Sequence, residues 1–131
     1  MNEKLSLIIN KLKEKNIDFE VYPVRSTNNT NSGDVILKIH DKLIMIEVTR
    51  TKISKNSRFK IGQCLVQKVA NENKNISQFI VCKSKLFSYE DLKALNFIGV
   101  NVLYTDFKKN WPEDILYKII EKVKSNEISN A

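Results

Sequence analysis

Two apolar segments joined by a short polar turn constrain the fold of this chain more than any other part of it. The first is Gly33–Ile39, the second is Leu43–Arg50, and His40–Lys42 lies between them. Apolar segments of this length around a short turn indicate an antiparallel β-hairpin. In such a hairpin Asp34, near the start of the first strand, lies beside Glu47, near the end of the second.

This pair of carboxylates indicates a site for a divalent metal ion. Like charges in a partly buried place repel and lose their hydration unless a cation lies between them. Asp34 and Glu47 carry the hard oxygen ligands that Mg²⁺ or Mn²⁺ prefers, and the Val48 carbonyl would complete a partial ligand set. The alternative is structural, with each carboxylate paired to a nearby lysine at the end of its strand.

Composition limits the chain to one domain and favours an anionic partner. With 131 residues, 42% of them hydrophobic, we expect a single domain over residues 1–124 and a frayed tail over 125–131. The net charge of +7 favours nucleic acid or an anionic membrane surface. No apolar run approaches the roughly 20 residues that cross a bilayer, and the N-terminus lacks the layout of a signal peptide. We therefore expect an intracellular, cytoplasmic protein without a membrane span.

The cysteines and the single histidine argue against several kinds of chemistry. Cys64 and Cys82 stand apart within apolar segments, without a CxxC pattern, which predicts buried, inert thiols rather than a zinc site or a disulfide. His40 is the one histidine and falls in the hairpin turn. A single histidine in a turn argues strongly against a mechanism that needs a histidine base or two histidine ligands.

Hydrophobic patterning along the chain predicts an α/β protein with the element order α-β-β-β-α-β-α-β-α. The expected helices cover residues 3–16, 58–73, 88–96 and 112–124, and the expected strands cover 18–24, 33–39, 43–50, 78–83 and 100–104. Strands that first pair as a hairpin and then alternate with helices indicate a mixed sheet with helices on its faces. The polar stretch 25–32 is either a connector or a loop that lines the mouth of the site.

The helix predicted after the hairpin, which Ser57 would cap, carries two stripes. Its buried stripe is expected to consist of Ile61, Leu65 and Val69. A polar stripe beside it consists of Lys60, Gln63 and Gln67. The polar stripe points either at the end of the hairpin or at solvent.

A basic segment follows the carboxylate pair. No acidic residue occurs between Val48 and Asn71, and the segment carries Arg50, Lys52, Lys55 and Arg58. A cationic flank beside a carboxylate pair is the arrangement expected where a metal ion and a phosphodiester backbone meet. We expect these four residues to bind nucleic acid.

The stretch from Gly33-Asp34 through the turn to Ile46–Thr49 resembles the core of the PD-(D/E)XK nuclease superfamily. Gly33 stands where a proline is common, and Thr49 stands where the lysine is expected. The region from Phe19 to Gln67 is most similar to the archaeal Holliday-junction resolvases, with a strand, a Ser/Asn-rich loop, the aspartate, the glutamate thirteen positions later, a basic segment and a helix with a glutamine near its start.

The resemblance implies a restriction-endonuclease-like fold and a Mg²⁺-dependent endonuclease that acts on DNA. Asp34 and Glu47 would be metal ligands, and Gln63 would support the site. Because Thr49 cannot act as the family's lysine, Lys60 is the first candidate to replace it and Lys52 the second.

A second departure is that Leu5 takes the place of the resolvases' helical glutamate. Action on branched DNA by a homodimer is what the resolvase likeness implies. The alternative is a catalytically degenerate nuclease fold that binds nucleic acid or a partner protein, and Thr49 favours it.

Overall fold

The predicted hairpin lies inside a five-stranded sheet. The computed structural model describes residues 3–22, 34–49, 57–70, 76–83 and 86–129, with the backbone alone at 22, 34, 35, 57–59 and 125–129. Nine elements follow in the predicted order: α1 Glu3–Glu14, β1 Phe19–Tyr22, β2 Asp34–Ile39, β3 Lys42–Val48, α2 Ser57–Ala70, β4 Ile76–Cys82, α3 Tyr89–Phe97, β5 Val100–Tyr104 and α4 Trp111–Ser129.

The sheet is mixed, as predicted, with the strand order β1-β2-β3-β4-β5. The β1–β2 and β2–β3 pairs are antiparallel, whereas the β3–β4 and β4–β5 pairs are parallel. Parallel neighbours need a crossover connection, and α2 and α3 lie in the two crossovers. The protein is thus a mixed α/β protein in which β3 joins an antiparallel half to a parallel half.

Alternate residues of the strands face two separate cores. The larger core packs α1 and α4 on one face of the sheet, with Ile44, Ile46 and Val48 of β3 among its members. The predicted apolar stripe of α1, which consists of Leu5, Ile8, Ile9 and Leu12, is buried in this core. The other core packs α2 and α3 on the opposite face and includes Cys64, Ile80 and Cys82. Glu47 falls on this second face because it alternates with Ile46 and Val48.

The buried stripe predicted for α2 is wrong. Leu65 is 47% exposed and Val69 is 59% exposed, whereas Cys64 is buried and Ile61 is partly buried. The helix is therefore rotated from the orientation that its apolar residues alone would favour. Its sheet-facing side includes Lys60, which contacts Glu47 of β3. A polar contact between α2 and the sheet accompanies this rotation, and two apolar side chains of the helix are exposed as a result.

Other boundaries also differ from the prediction, among them those of the hairpin turn and of α4. The hairpin turn has two residues, His40 and Asp41, both with positive φ (50° and 64°), and Lys42 already belongs to β3. Positive φ at both positions is the type I′ geometry that suits the twist of paired strands. At the other end of the chain, residues 125–129 belong to α4 rather than to a frayed tail. Residues 25–32, 50–56 and 71–73, for which the sequence predicts a loop, a basic segment and the end of α2, lie outside the described residues.

Alanine substitutions at two glycines are expected to change stability in opposite directions. Gly99 follows α3 with φ +87°, and a Cβ there would lie 2.6 Å from Nζ of Lys68, whereas Gly62 lies within α2 with nothing within 4 Å of an added Cβ. We expect Gly99→Ala to lower the free energy of unfolding by about 1–2 kcal/mol, because positive φ disfavours a side chain. Gly62→Ala should raise it by about 0.5–1 kcal/mol, because alanine favours a helix interior. Urea unfolding of the two variants measures both changes, and shifts of equal sign would contradict this description.

Candidate active site

The register of the hairpin places the two acidic positions side by side. Asp34 is the direct antiparallel partner of Glu47, at the end of the hairpin away from the turn. Directly opposite residues of an antiparallel pair belong to the same face of the sheet. The backbone therefore brings together the two positions on which the predicted metal site depends. His40 lies at the other end of the hairpin and is exposed.

Glu47 forms an ion pair with Lys60. The Lys60 Nζ atom donates to Oε1 of Glu47, and the two side chains are 14% and 13% exposed. A partly buried carboxylate is costly without an opposite charge beside it, and the lysine offsets part of that cost. Lys60 reaches the sheet from the first part of α2. The first candidate for the missing lysine thus contacts the predicted metal ligand.

A small cavity adjoins the ion pair between α2 and the sheet. Its volume is about 20 Å³, which suits one water-sized group. Glu47, Gln63, Gln67 and Gln78 are its polar lining residues, and the remaining lining residues are Met45, Cys64, Phe79, Ile80 and Val100. The polar stripe of α2 therefore faces the hairpin: Lys60 contacts Glu47, and both glutamines line the adjoining cavity.

Gln78 is a polar residue of this region that the sequence interpretation missed. It is 5% exposed and lies on β4, and its Nε2 donates to the backbone oxygen of Cys64 at 3.0 Å. Its Oε1 has no hydrogen-bond partner. The signal in the sequence is the glutamine at the start of the apolar run 78–83, and that run by itself predicts only a buried strand.

The thiol of Cys82 is chemically unreactive. Burial, and to a lesser extent the negative charge of Glu47, raise the pKa of Cys82 to about 12. Cys82 is therefore protonated at neutral pH and is not a nucleophile. Cys64 is buried as well, so the prediction of two buried thiols is confirmed.

Thr49 is buried next to the site, at the position where the PD-(D/E)XK pattern that the sequence resembles has its lysine. Its backbone nitrogen donates to the Val81 oxygen at 2.8 Å, which extends the β3–β4 pairing by one residue. Two positions beyond Glu47, it belongs to the same face of the sheet. The chain therefore carries no cation at position 49 itself, and Lys60 enters from the neighbouring helix.

The structure describes some of the other predicted site residues and not others. The Val48 side chain is buried in the core beneath α1 and α4, so only its peptide oxygen would serve a metal ion. Leu5 is fully buried in the same core. Arg50, Lys52 and Lys55 lie outside the described residues, and Arg58 is described only as part of the α2 backbone.

The predicted magnesium site depends on the carboxylates of Glu47 and Asp34. Among the residues that the structure describes, no group of three or more His, Cys, Asp or Glu side chains could hold a metal ion. Mg²⁺ is commonly held by one or two carboxylates, with water and substrate phosphate as its other ligands. A carboxylate has two oxygens and several acceptor positions, so the contact of Lys60 with Oε1 does not exhaust Glu47. The metal site at Asp34 and Glu47 stays a prediction, because only the backbone of Asp34 is described.

Comparison with protein-family models and with curated proteins gives no match. No helix in the described ranges is long and apolar enough to cross a membrane. Inference about function therefore depends on the geometry around Glu47 and on the motif resemblance.

Proposed function

We propose that this protein is a metal-dependent endonuclease with a restriction-endonuclease-like fold, which hydrolyses phosphodiester bonds in DNA. The observation that supports the proposal most strongly is the contact between Lys60 and the Glu47 carboxylate. The motif lacks its lysine at Thr49, and a lysine from α2 meets the same carboxylate. In this proposal the positive charge that the motif requires comes from Lys60 on α2 instead of from position 49.

Lys60 would contribute positive charge where negative charge accumulates on the phosphate under attack. A fixed cation in a partly buried place stabilises such charge more strongly than it would in water. Glu47 holds the ammonium group in place, and burial of both side chains excludes most of the competing solvent. Lys60 therefore takes the electrostatic role in this proposal, while Gln63 lines the adjoining cavity.

Asp34 and Glu47 would hold Mg²⁺ or Mn²⁺, together with the Val48 carbonyl. Such an ion, when bound, lowers the pKa of a bound water and so supplies a nucleophile at neutral pH. The direct pairing of positions 34 and 47 is the structural support for this ligand pair.

DNA is the polyanion that this proposal takes as substrate. The net charge is +7, and the whole of α2 lacks an acidic residue. Arg50, Lys52, Lys55 and Arg58 would contact phosphates, which position a duplex without reading its sequence. The resolvase likeness adds a preference for four-way junctions and action as a homodimer, both as parts of the proposal.

A binding module without catalysis is the second candidate. Thr49 is buried without a charge, and Lys60 already neutralises Glu47 without any metal ion. The same fold could then hold nucleic acid or a partner protein through its basic segment. The two candidates differ in whether a phosphodiester bond is broken.

Cleavage of a labelled four-way junction and of a linear duplex, with Mg²⁺ and with EDTA, distinguishes the two candidates. We expect the wild type to cut with Mg²⁺ only, and Glu47→Ala to lose cleavage. Glu121→Ala is the matched control, because it removes an exposed carboxylate from α4, which packs on the opposite face of the sheet. Tight, salt-sensitive binding by a wild-type protein that cuts neither substrate would refute the enzyme and favour the binding module.

A further inference from the structure

The Gln78 amide links the sheet to the backbone of α2. Its nitrogen donates to the Cys64 oxygen at 3.0 Å, and the Met45 sulfur lies 4.0 Å from the same nitrogen. Since a backbone oxygen only accepts hydrogen bonds, the amide must present its nitrogen to Cys64. Its own oxygen then has no hydrogen-bond partner among the protein groups that the structure describes.

An amide in this place is not explained by packing. Gln78 is 5% exposed and lies beside apolar side chains of the second core. A buried acceptor without a partner destabilises a protein, whereas an apolar residue of similar size would not. Methionine has nearly the same length and shape as glutamine, so this strand position could be filled without the unpaired oxygen.

The Gln78–Cys64 hydrogen bond lies close to both members of the Lys60–Glu47 pair. Cys64 follows Lys60 by four residues, which is about one helical turn. On the sheet, Gln78 pairs with Met45, and Ile80, two residues further along β4, pairs with Glu47. The amide therefore attaches the helix to the sheet one turn from Lys60 and close to the carboxylate that Lys60 contacts.

The rotation of α2 is one that apolar packing alone would not favour. Leu65, Val66 and Val69 are about half exposed or more, although a different rotation would turn some of them toward the sheet. Two polar links that join α2 to the sheet are the Lys60–Glu47 pair and the Gln78–Cys64 bond. These two links oppose the apolar preference of the helix.

We propose that Gln78 is a positioning residue, whose amide holds α2 in the rotation that brings Lys60 onto Glu47. The catalytic meaning of this role rests on the proposed function, whereas the positioning itself does not. Gln78 touches neither substrate nor the reacting atoms in this proposal. It acts through the helix backbone at Cys64.

Gln78→Met tests the proposal because it removes the donor and keeps the size of the side chain. Limited acetylation followed by mass spectrometry reports the protection of the Lys60 amine, with exposed Lys122 as the internal reference. We expect acetylation of Lys60 to become about fivefold faster, the factor that corresponds to one ordinary hydrogen bond. The melting temperature should stay equal or rise, because the unpaired oxygen is removed as well.

Val100→Ala is the matched control. Val100 is buried and lines the same cavity, yet it makes no bond to α2 through its side chain. This variant should lower the melting temperature and leave Lys60 as protected as in the wild type. Gln78→Leu provides a second donor-free variant should methionine fold poorly, and the same change in Lys60 is expected from it.

Unchanged protection of Lys60 in both donor-free variants would overturn the proposal, and so would an equal loss of protection in Val100→Ala. In cleavage assays, Gln78→Met should lower kcat with little change in KM, because DNA contacts are retained. A wild-type protein that cuts no DNA refutes the proposed function, and the acetylation result still decides whether Gln78 positions Lys60.

Discussion

Lys60→Met is expected to slow DNA cleavage by about 10²- to 10³-fold, the usual cost of removing one fixed group that stabilises charge in a transition state. Methionine keeps the length of the side chain and loses only the ammonium group that contacts Glu47. The measurement is single-turnover cleavage of a labelled DNA at saturating protein and Mg²⁺, so that weaker binding does not enter the rate.

Lys122→Met is the matched control for this effect. Lys122 is exposed on α4, which packs on the opposite face of the sheet from Glu47. Lys122→Met removes the same charge from the chain as Lys60→Met does, but at a position away from Glu47. We therefore expect a cleavage rate close to that of the wild type. An equal slowing by both variants would mean that total charge, rather than the position of Lys60, governs cleavage.

The second large effect concerns stability. Lys60→Met alone leaves Glu47 charged, buried and unpaired, and Glu47→Leu alone leaves Lys60 in the same condition. Each single change should lower the free energy of unfolding by about 3 kcal/mol, the order observed when one member of a buried pair is removed. The double variant should lie within about 1 kcal/mol of the wild type, since two apolar residues replace the pair.

Urea unfolding of the four proteins at neutral pH provides this double-mutant cycle. A strong coupling would show that the contact between Lys60 and Glu47 is maintained in solution. Losses in the double variant equal to the two single losses added together would contradict a buried, coupled pair. The double variant should also be inactive, which separates stability from catalysis.

The hairpin and its register could be predicted because the signals are local. Apolar residues in two short segments around a turn define the strands, and an antiparallel register follows once the turn is placed. Asp34 and Glu47 are direct partners for that reason. The bounds of β5, Val100–Tyr104, also agree with the prediction, since a short apolar strand followed by polar residues leaves little choice.

The rotation of α2 could not be predicted because it depends on contacts distant in sequence. The spacing of Ile61, Leu65 and Val69 favours one buried face. The side chains of Glu47 and Gln78, which come from other strands, hold a different face against the sheet. Gln78 itself gave only a weak signal, because one glutamine at the start of an apolar strand does not reveal what it bonds.

The role of Lys60 could be predicted in part from the sequence. Its place on the same stripe as Gln63 made it the first candidate to replace the missing lysine, and its ammonium group contacts Glu47. Sequence spacing could rank Lys60 first, but it left Lys52, which precedes the helix, as the second candidate. Only the packing of α2 on the sheet could bring Lys60 to the carboxylate.

The measurement that tests the central claim most directly is cleavage by Lys60→Met with and without Thr49→Lys. Position 49 belongs to the same face of the sheet as Glu47, so a lysine there would restore the family pattern. We expect wild-type protein to cut DNA in Mg²⁺, Lys60→Met to be nearly inactive, and Thr49→Lys to return part of the lost rate. A Lys60→Met protein that cuts as fast as the wild type would contradict the claim that Lys60 supplies the charge that Thr49 lacks.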